Sequence, residues 1–382
     1  MRIPLSRPSI GLRELAAVGQ VFETGWLGEG KWTAEFEAAI ADYTGAPHVV
    51  AVNTGTSALH LALDACGVGP GDEVIVPTLT FVSDPMAVRM CGATPVFADI
   101  NPETLTLDPA DAASRVTDRT KAILVTDYAG LPADVHALRR ALGDRPIAIV
   151  RDAAHSFGSA IDGRPVGVRD GEDATCFSFD PIKNLTCGEG GAVLVCDAGR
   201  AELLRERRML GFRAGARRRT PTSAAELRGV VGSGFRYHLS NINAAIGLAQ
   251  FSRLTELLEG RRAVARLYDG LLGHRNDLRT FRRDYSAVVP FIYPVLVPPQ
   301  ERDALLARFA AAGIHADLRY SLCHQEPLFG SAATLGVAEQ IADSLVCLPI
   351  YAGLAESQVR EVVSVLIAGL SSSTRADAIA HA

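Results

Sequence analysis

The stretch HVVAVNTGTSALHLALDAC, residues 48–66, indicates the fold class of this chain. Its first residues, 48–53, form an apolar run, which predicts a strand buried on both faces. The turn formed by Gly55, Thr56 and Ser57 follows, and the apolar residues beyond it recur at helical spacing. Free backbone N–H groups and two hydroxyls at a helix N-terminus suit a phosphate group. Turns of this kind also occur in α/β proteins that bind no phosphate.

The same strand-and-helix alternation continues on either side of this stretch, to about residue 200. Short apolar runs bounded by Gly, Pro and Asp predict strands at 48–53, 73–77, 94–100, 121–126, 147–152, 174–179 and 192–196. Helix-like segments lie between several of them, at 56–66, 84–91 and 133–142. This alternation predicts an α/β fold with a mostly parallel central sheet. The runs lie closer together from Ala174 onward, which predicts an antiparallel edge there.

The second half of the chain has a different pattern, which predicts a smaller α+β domain. One long helix is predicted over Asn241–Glu259, capped by Ser240, as the bridge into this domain. A strand near 288–297 and helices at 301–311 and 356–370 follow. We therefore predict a large domain with an N-terminal arm at 1–250, a small domain at 251–370 and a frayed polar tail at 371–382.

Composition excludes several classes of function. The net charge of -5 gives no attraction to nucleic acid or to an anionic membrane. No apolar run reaches the roughly 20 residues that span a bilayer, and residues 1–7 lack a signal-peptide core. The 7 cysteines contain no C-x-x-C pair, so we expect buried free thiols in a reducing cytoplasm and no metal site.

The basic residues restrict the choice of a catalytic amine, because only Lys31, Lys121 and Lys183 are lysines among 38 basic side chains. Lys183 lies between two apolar strands in FSFDPIKNLTCGEGG, residues 177–191. A lysine that forms a Schiff base needs a partly desolvated pocket there, although a solvated surface charge is the alternative. Lys121 is predicted in a polar loop entering the sheet. Lys31 is predicted in an early loop, where it remains a candidate for substrate contact.

Asp152 ends an apolar strand in IVRDAAH, residues 149–155. Open α/β sheets bind ligands at that end of their strands, and a carboxylate there can keep a pyridine nitrogen protonated. The alternative is that Asp152 caps a following helix. In chain order, a phosphate turn, Asp152 and then Lys183 describe pyridoxal 5'-phosphate (PLP) held at three points.

Several collinear motifs resemble a known family. They are TGWLGEG at 24–30, GTSAL at 55–59, VPTLTFV at 76–82, GATPVF at 92–97, DAAH at 152–155, the Lys183 segment ending GEGG at 188–191, and LPIY at 348–351. Together they resemble the DegT/StrS-type nucleotide-sugar aminotransferases. That resemblance implies PLP fold type I, similar to aspartate aminotransferase, and a homodimer with shared active sites.

The resemblance also implies roles for individual residues. Lys183 is expected to form the aldimine with the cofactor and to move the 1,3-proton, and Asp152 to pair with the pyridine nitrogen. The other expected cofactor contacts are the stacking ring of Phe81, the hydrogen bond of His155 to the 3'-oxygen, and a phosphate site formed by Gly55, Thr56, Ser57 and Ser178. Candidate substrate residues are Trp26, Lys31, Arg236, Tyr320 and His324.

Two departures accompany these matches. In the stretch 234–241, where the family often supplies an Asn from the neighbouring subunit to the phosphate, Arg236 and His238 occupy the matching positions. Arg151 replaces the usual acidic residue before Asp152.

The expected reaction is a ping-pong transfer of an amino group from L-glutamate to a keto-sugar, such as a nucleotide-diphosphate-linked 4-keto or 3-keto deoxyhexose. The run Arg205–Arg219, with seven arginines, can meet a diphosphate or form a solvated helix end. Alternatives are a cyclitol (keto-inositol) aminotransferase, a PLP lyase or dehydratase, and a non-catalytic sensor. A DNA-binding regulator fits worst.

Overall fold

The computed structural model describes residues 1–213 and 229–370. The predicted tail at 371–382 lies outside this part of the chain. Across the described ranges, every helix is too short or too polar to cross a membrane.

A seven-stranded sheet forms the centre of the molecule, in the order β1-β9-β8-β5-β4-β2-β3. Its strands are β1 (His48–Val52), β2 (Glu73–Pro77), β3 (Thr94–Ala98), β4 (Thr120–Thr126), β5 (Ala148–Asp152), β8 (Ala174–Ser178) and β9 (Gly191–Val195). A small separate hairpin contains β6 (Ala160–Ile161) and β7 (Arg164–Pro165). Neighbouring strands are parallel from β3 to β8, whereas β9 runs antiparallel to both β8 and β1. The α/β class, the mostly parallel sheet and its antiparallel edge are thus confirmed.

The sheet is covered by helices on both faces, which explains why its strands lack polar alternation. Successive residues of β1 enter different clusters: Val50 and Val52 pack on one face, and Val49 and Ala51 on the other. The covering helices of this part are α1 (Leu12–Glu23), α2 (Lys31–Thr44), α3 (Gly55–Ala65), α4 (Ser83–Met90), α5 (Pro109–Ser114), α6 (Val135–Leu142) and α7 (Ala198–Arg207).

The prediction of one continuous helix over 241–259 is wrong. Two helices, α8 (Asn241–Phe251) and α9 (Leu254–Leu272), replace it, although Ser240 caps the first as expected. The Ser252 hydroxyl donates to the Ala249 carbonyl at 2.7 Å and so competes with helical pairing. Arg253 then leaves the helical conformation, and its guanidinium pairs with Glu14 of α1 at 3.2 Å.

The C-terminal part is α+β, as predicted. It contains β10 (Arg279–Thr280), β11 (Tyr293–Leu296), α10 (Pro299–Ala311), α11 (Gly336–Ser344), β12 (Leu345–Leu348) and α12 (Glu356–Gly369). The strand expected over 288–297 is confined to Tyr293–Leu296, where β10 and β12 pair with it; residues 288–292 are buried without strand pairing. Ile3, from the N-terminal arm, pairs with Ile314 and packs in this C-terminal core. The domain boundary near residue 250 stays a prediction.

The cysteines are free thiols, as expected, but the prediction that all are buried is wrong. Cys196 is exposed at the end of β9, while Cys66 and Cys91 are partly buried. Cys196 directly follows the last strand residue, and its thiol donates to the Val168 carbonyl at 3.0 Å.

Candidate active site

The N-terminus of α3 forms a compact polar turn. The Thr54 hydroxyl accepts a hydrogen bond from the Ser57 backbone N–H at 3.0 Å, and the Ser57 hydroxyl donates to the Asn53 side-chain oxygen at 2.7 Å. A side chain on Gly55 would lie 2.7 Å from the Ser178 Cβ, so only glycine permits this close approach. The N–H groups of Gly55 and Thr56 are left at the helix start, beside the Ser178 hydroxyl, where an anion is favoured.

Asp152 lies at the carboxyl end of β5, between Thr126 of β4 and Cys176 of β8 in register. It does not cap a helix, since turn residues 154–158 follow it; one of its oxygens accepts from the Ala154 N–H at 2.9 Å. Burial raises the pKa of this carboxyl, while hydrogen bonds and the charge of Lys183 oppose the shift.

Lys183 lies in the loop between β8 and β9, with its Nζ 4.2 Å from the centre of the Phe291 ring. The buried Arg261 of α9 donates to the carbonyl oxygens of Ile182 and Lys183, at 2.8 and 3.4 Å, and so anchors the loop. Desolvation lowers the pKa of Lys183 to about 8, although the charges of Asp152 and Asp180 act in the opposite direction. The amine is thereby available as a nucleophile closer to neutral pH.

This shift gives a pH prediction. An amine reacts with an aldehyde only when it is neutral, so the reactive fraction of Lys183 rises as pH rises through its pKa of about 8. We expect the rate of PLP attachment to the cofactor-free protein to level off above about pH 8 to 9, where an ordinary lysine is still protonated. Stopped-flow absorbance over a pH series measures it. A rate that keeps rising toward the ordinary lysine value of about 10.4 would contradict the assignment.

Several aromatic side chains lie near the Lys183 amine. The His155 ring stacks on Phe291 with centroids 4.1 Å apart, and its Nε2 lies 3.1 Å from the Tyr320 hydroxyl. Phe81 is half exposed, and the centroid of its ring lies 5.3 Å from that of the Tyr320 ring. Burial, together with the positive charge of Lys183, holds the pKa of His155 well below its usual value, so the imidazole is neutral at pH 7. The rings of Phe81, Tyr320 and His155 thus form a series of contacts that reaches Lys183 through Phe291.

The remaining predicted substrate residues lie elsewhere or have partners. Trp26 donates to the Glu29 carbonyl at 2.8 Å. The prediction that Lys31 lies in a loop is wrong: it is the first residue of α2, directly after the N-cap residue Gly30. Its exposed amine lies 3.6 Å from the Glu35 carboxylate. Arg236 is exposed and pairs through its backbone with Met209. Substrate contact by these residues stays a prediction.

His324 is buried between two polar partners. Its Nδ1 lies 2.7 Å from the Thr78 hydroxyl and its Nε2 3.2 Å from Glu339. It also lines an open cavity of about 370 Å³ formed by residues 324–327, 330–333 and 339. A direct substrate contact of His324 stays a prediction.

The arginines that the sequence left unexplained have structural contacts. Arg151 is fully buried, with its Nη1 2.9 Å from Asp127 and with Asp170 and Glu172 nearby. Within the run Arg205–Arg219, Arg207 pairs with Asp64 at 3.3 Å and Arg208 with Glu29 and Glu37 at 2.5 Å each. These two arginines therefore have ion-pair partners within the fold, and contact of the run with a diphosphate stays a prediction. Residues 214–219 of the run lie outside the described part.

Sequence reasoning missed three residues at this site. Thr54 is the N-cap of α3, and its position before Gly55 is a recognisable capping signal. Asp84 of α4 is fully buried beside Asp152, and Arg319 contacts the Tyr320 side chain. Asp84 has no local signal because Asp152 is distant in sequence, and Arg319 has none because Lys183 and His155, on which its charge acts, are distant as well.

Comparison with known proteins gives the family. A family model described as the DegT/DnrJ/EryC1/StrS aminotransferase family matches residues 8–367. The chain belongs to this family. It is a PLP-dependent aminotransferase of fold type I, as the resemblance implied.

Solved aminotransferase structures superpose along nearly the whole chain. The aminotransferase TlmJ from Streptoalloteichus hindustanus is 34% identical, with a TM-score of 0.88, covering 96% of this chain and 98% of that one. The sugar aminotransferase CalS13 from Micromonospora echinospora is 31% identical, with a TM-score of 0.87, covering 96% and 100%. The PLP form of the putative sugar aminotransferase Spr1654 from Streptococcus pneumoniae is 25% identical, with a TM-score of 0.87, covering 97% and 100%.

The residues present fit PLP. The cofactor offers a phosphate, a pyridine nitrogen, a phenolic oxygen and an aldehyde, and the site provides the α3 turn, Asp152, His155 and Lys183. Within the described ranges, the buried Nδ1 of His155 has no hydrogen-bond partner. This atom can therefore still form a hydrogen bond in the site. An amine of lowered pKa faces the same space.

Proposed function

We propose that this aminotransferase moves an amino group from L-glutamate to a keto-sugar, most specifically a nucleotide-diphosphate-linked 4-keto or 3-keto deoxyhexose. The observation that carries the proposal is the position of the Lys183 amine, whose pKa is lowered, close to Asp152 and to the aromatic side chains described above. Support for a sugar acceptor comes from the structural neighbours that are named as sugar aminotransferases, CalS13 among them. His155 favours amination at C4, on family resemblance alone.

Lys183 has two roles in this proposal. As a neutral amine, Lys183 would attach the cofactor. Once the amino substrate has displaced it, the free lysine amine would move the proton from one carbon to the other in the 1,3-shift. Bound PLP supplies an electron sink that stabilises negative charge on the substrate carbon. The loop anchor from Arg261 holds the lysine where both roles are possible.

Asp152 and His155 hold the cofactor in a defined protonation state. Asp152, as a carboxylate, pairs with the pyridine nitrogen and keeps its proton there. His155, as a neutral imidazole with one N–H, donates to the phenolic oxygen without adding a second positive charge beside Lys183. Phe81, whose ring is half exposed, would stack on the cofactor ring.

The phosphate site joins Gly55, Thr56, Ser57 and Ser178 in our proposal. The helix start and the neighbouring hydroxyl groups of Thr56 and Ser178 favour a dianion. We further propose a homodimer, in which Arg236 of the partner subunit contributes to the same phosphate, and a cytoplasmic location. Analytical ultracentrifugation checks the dimer, with a monomer at micromolar concentration as the contradicting result.

We expect Arg319 to bind a carboxylate of the amino donor. Its guanidinium contacts the Tyr320 hydroxyl, and its charge acts on both Lys183 and His155. Arg319→Ala should raise the KM for L-glutamate by about 10- to 100-fold, the range for losing a hydrogen bond to a charged group. Steady-state kinetics measure this KM, and Arg360→Ala, which replaces an exposed arginine of α12, is the control. An unchanged KM would remove Arg319 from the donor site.

The acceptor is tested by a coupled assay. The holoenzyme is incubated with L-glutamate and a panel of acceptors, and 2-oxoglutarate and the aminated product are measured. We expect turnover with nucleotide-linked keto-hexoses. Turnover only with a keto-inositol would identify a cyclitol aminotransferase, and elimination without amino transfer would identify a lyase or dehydratase.

A further inference from the structure

Asp84 is a second carboxyl at the cofactor site that the reaction as proposed does not use. It lies in the first turn of α4 and is fully buried. Its side chain contacts that of Asp152. The contact follows from the sheet register, because Asp152 of β5 lies beside Thr126 of β4, and Thr126 in turn bonds to Asp84.

The hydrogen bonds of Asp84 are divided unequally between its oxygens. Oδ2 accepts from the hydroxyls of Thr80 and Thr126, at 2.6 and 2.7 Å. Throughout the described part of the chain, no group donates to Oδ1, although this atom is buried. A carboxylate would leave Oδ1 buried and unsatisfied, whereas a neutral carboxyl has a hydroxyl there that can donate.

We propose that Asp84 keeps its proton and donates it, through Oδ1, in a hydrogen bond to the Asp152 carboxylate, so that Asp84 is a positioning residue for the group that pairs with the cofactor. Two carboxyls in contact cannot both ionise in a buried site, and they share one proton. The N-terminus of α4 favours a negative charge on Asp84, but full burial beside a carboxylate outweighs it.

The charge pattern around the pair assigns the proton to Asp84. Burial, and then the neighbouring Asp152, raise the pKa of Asp84 well above its usual value. Asp152 accepts from the Ala154 N–H and is close enough to Lys183 for its charge to favour the carboxylate. The other titratable groups facing the pair are thiols and a phenol that stay neutral near pH 7: Cys176, Cys323 and Tyr320.

A matched pair of variants tests this proposal, which rests on the proposed cofactor role of Asp152. Asp84→Asn keeps the shape, accepts from both threonines and donates an N–H to Asp152, but it cannot ionise. Asp84→Ala loses the donor. We expect Asp84→Asn to retain the PLP dissociation constant and the pH titration of the bound-cofactor absorption band. Asp84→Ala should weaken PLP binding by about 10- to 100-fold and shift that titration.

Asp99→Asn is the control for general loss of a structural carboxyl. Asp99 accepts from the Val337 and Ala338 N–H groups at the start of α11, so its replacement should lower Tm without moving the absorption titration. If Asp84→Asn shifts the titration as Asp84→Ala does, Asp84 is ionised in the native protein and the proposal fails. It also fails if Asp84→Ala changes only Tm.

Infrared difference spectra of the cofactor-free protein separate this proposal from the proposed function. A protonated-carboxyl band at neutral pH that disappears in Asp84→Asn supports the shared proton without any cofactor. Absence of that band overturns it, even in an active enzyme. Conversely, a wild-type protein that binds no PLP would overturn the proposed function, while the infrared result still decides the protonation of Asp84.

Discussion

We expect replacement of Lys183 by alanine to abolish amino transfer, with a loss of at least about 10⁴-fold, because in our proposal one side chain supplies both the nucleophile and the proton carrier. The three lysines of the chain make the result easy to interpret. Neither Lys31 nor Lys121 can replace the missing amine, since both are exposed on other elements. Loss is measured as single-turnover formation of 2-oxoglutarate from L-glutamate.

Lys121→Ala is the matched control, because it removes an exposed lysine from β4 and leaves the site intact. Borohydride reduction of the wild-type holoenzyme, followed by peptide mapping, adds a readout that does not depend on turnover. The cofactor should be fixed to the peptide that contains Lys183 alone. Label on Lys31 or Lys121, or substantial activity in Lys183→Ala, would show that another amine performs the chemistry.

Asp152→Asn is expected to lower the rate of amino transfer by about 10³-fold, the scale for losing a preorganised electrostatic group in an active site. Asparagine keeps the size of the side chain but cannot hold a proton on the pyridine nitrogen. Burial raises the pKa of Asp152, which means that its charge is costly in the folded protein. The variant should therefore have an equal or higher Tm without cofactor.

Asp173→Asn provides the control for this second variant. Asp173 accepts from Arg139 and from the Ile149 N–H, so it contacts β5 far from the Asp152 end of the strand. We expect it to lose stability and keep activity, the reverse of Asp152→Asn. If Asp152→Asn retains activity, the pyridine nitrogen has another partner, and the proposed role of Asp152 is wrong.

The sequence predicts the sheet well because the decisive information is local. Strands buried on both faces leave continuous apolar runs, as in β1 and β9, and chain order places Asp152 at the end of β5 and Lys183 in the loop after β8. Individual strand and helix ends differ by a few residues, where capping side chains such as Thr54 decide the boundary.

The features that could not be predicted depend on contacts between distant segments. The break after Phe251 follows from Arg253 reaching α1, and no proline or glycine marks it. Arg151 looks anomalous in sequence until Asp127 lies beside it. The role of Asp84 likewise cannot be predicted until Thr126 of β4, the neighbour of Asp152 in the sheet, is seen to bond to it.

Arg261 mechanically links the reactive loop to the C-terminal part of the chain. Besides the carbonyl oxygens of Ile182 and Lys183, its guanidinium binds those of Phe291 and Ile350, both at 3.3 Å. A rigid-body displacement of the C-terminal unit must therefore stretch these bonds or carry the lysine loop with it. The position of the Lys183 amine is thus coupled, through Arg261, to that of the C-terminal part of the chain.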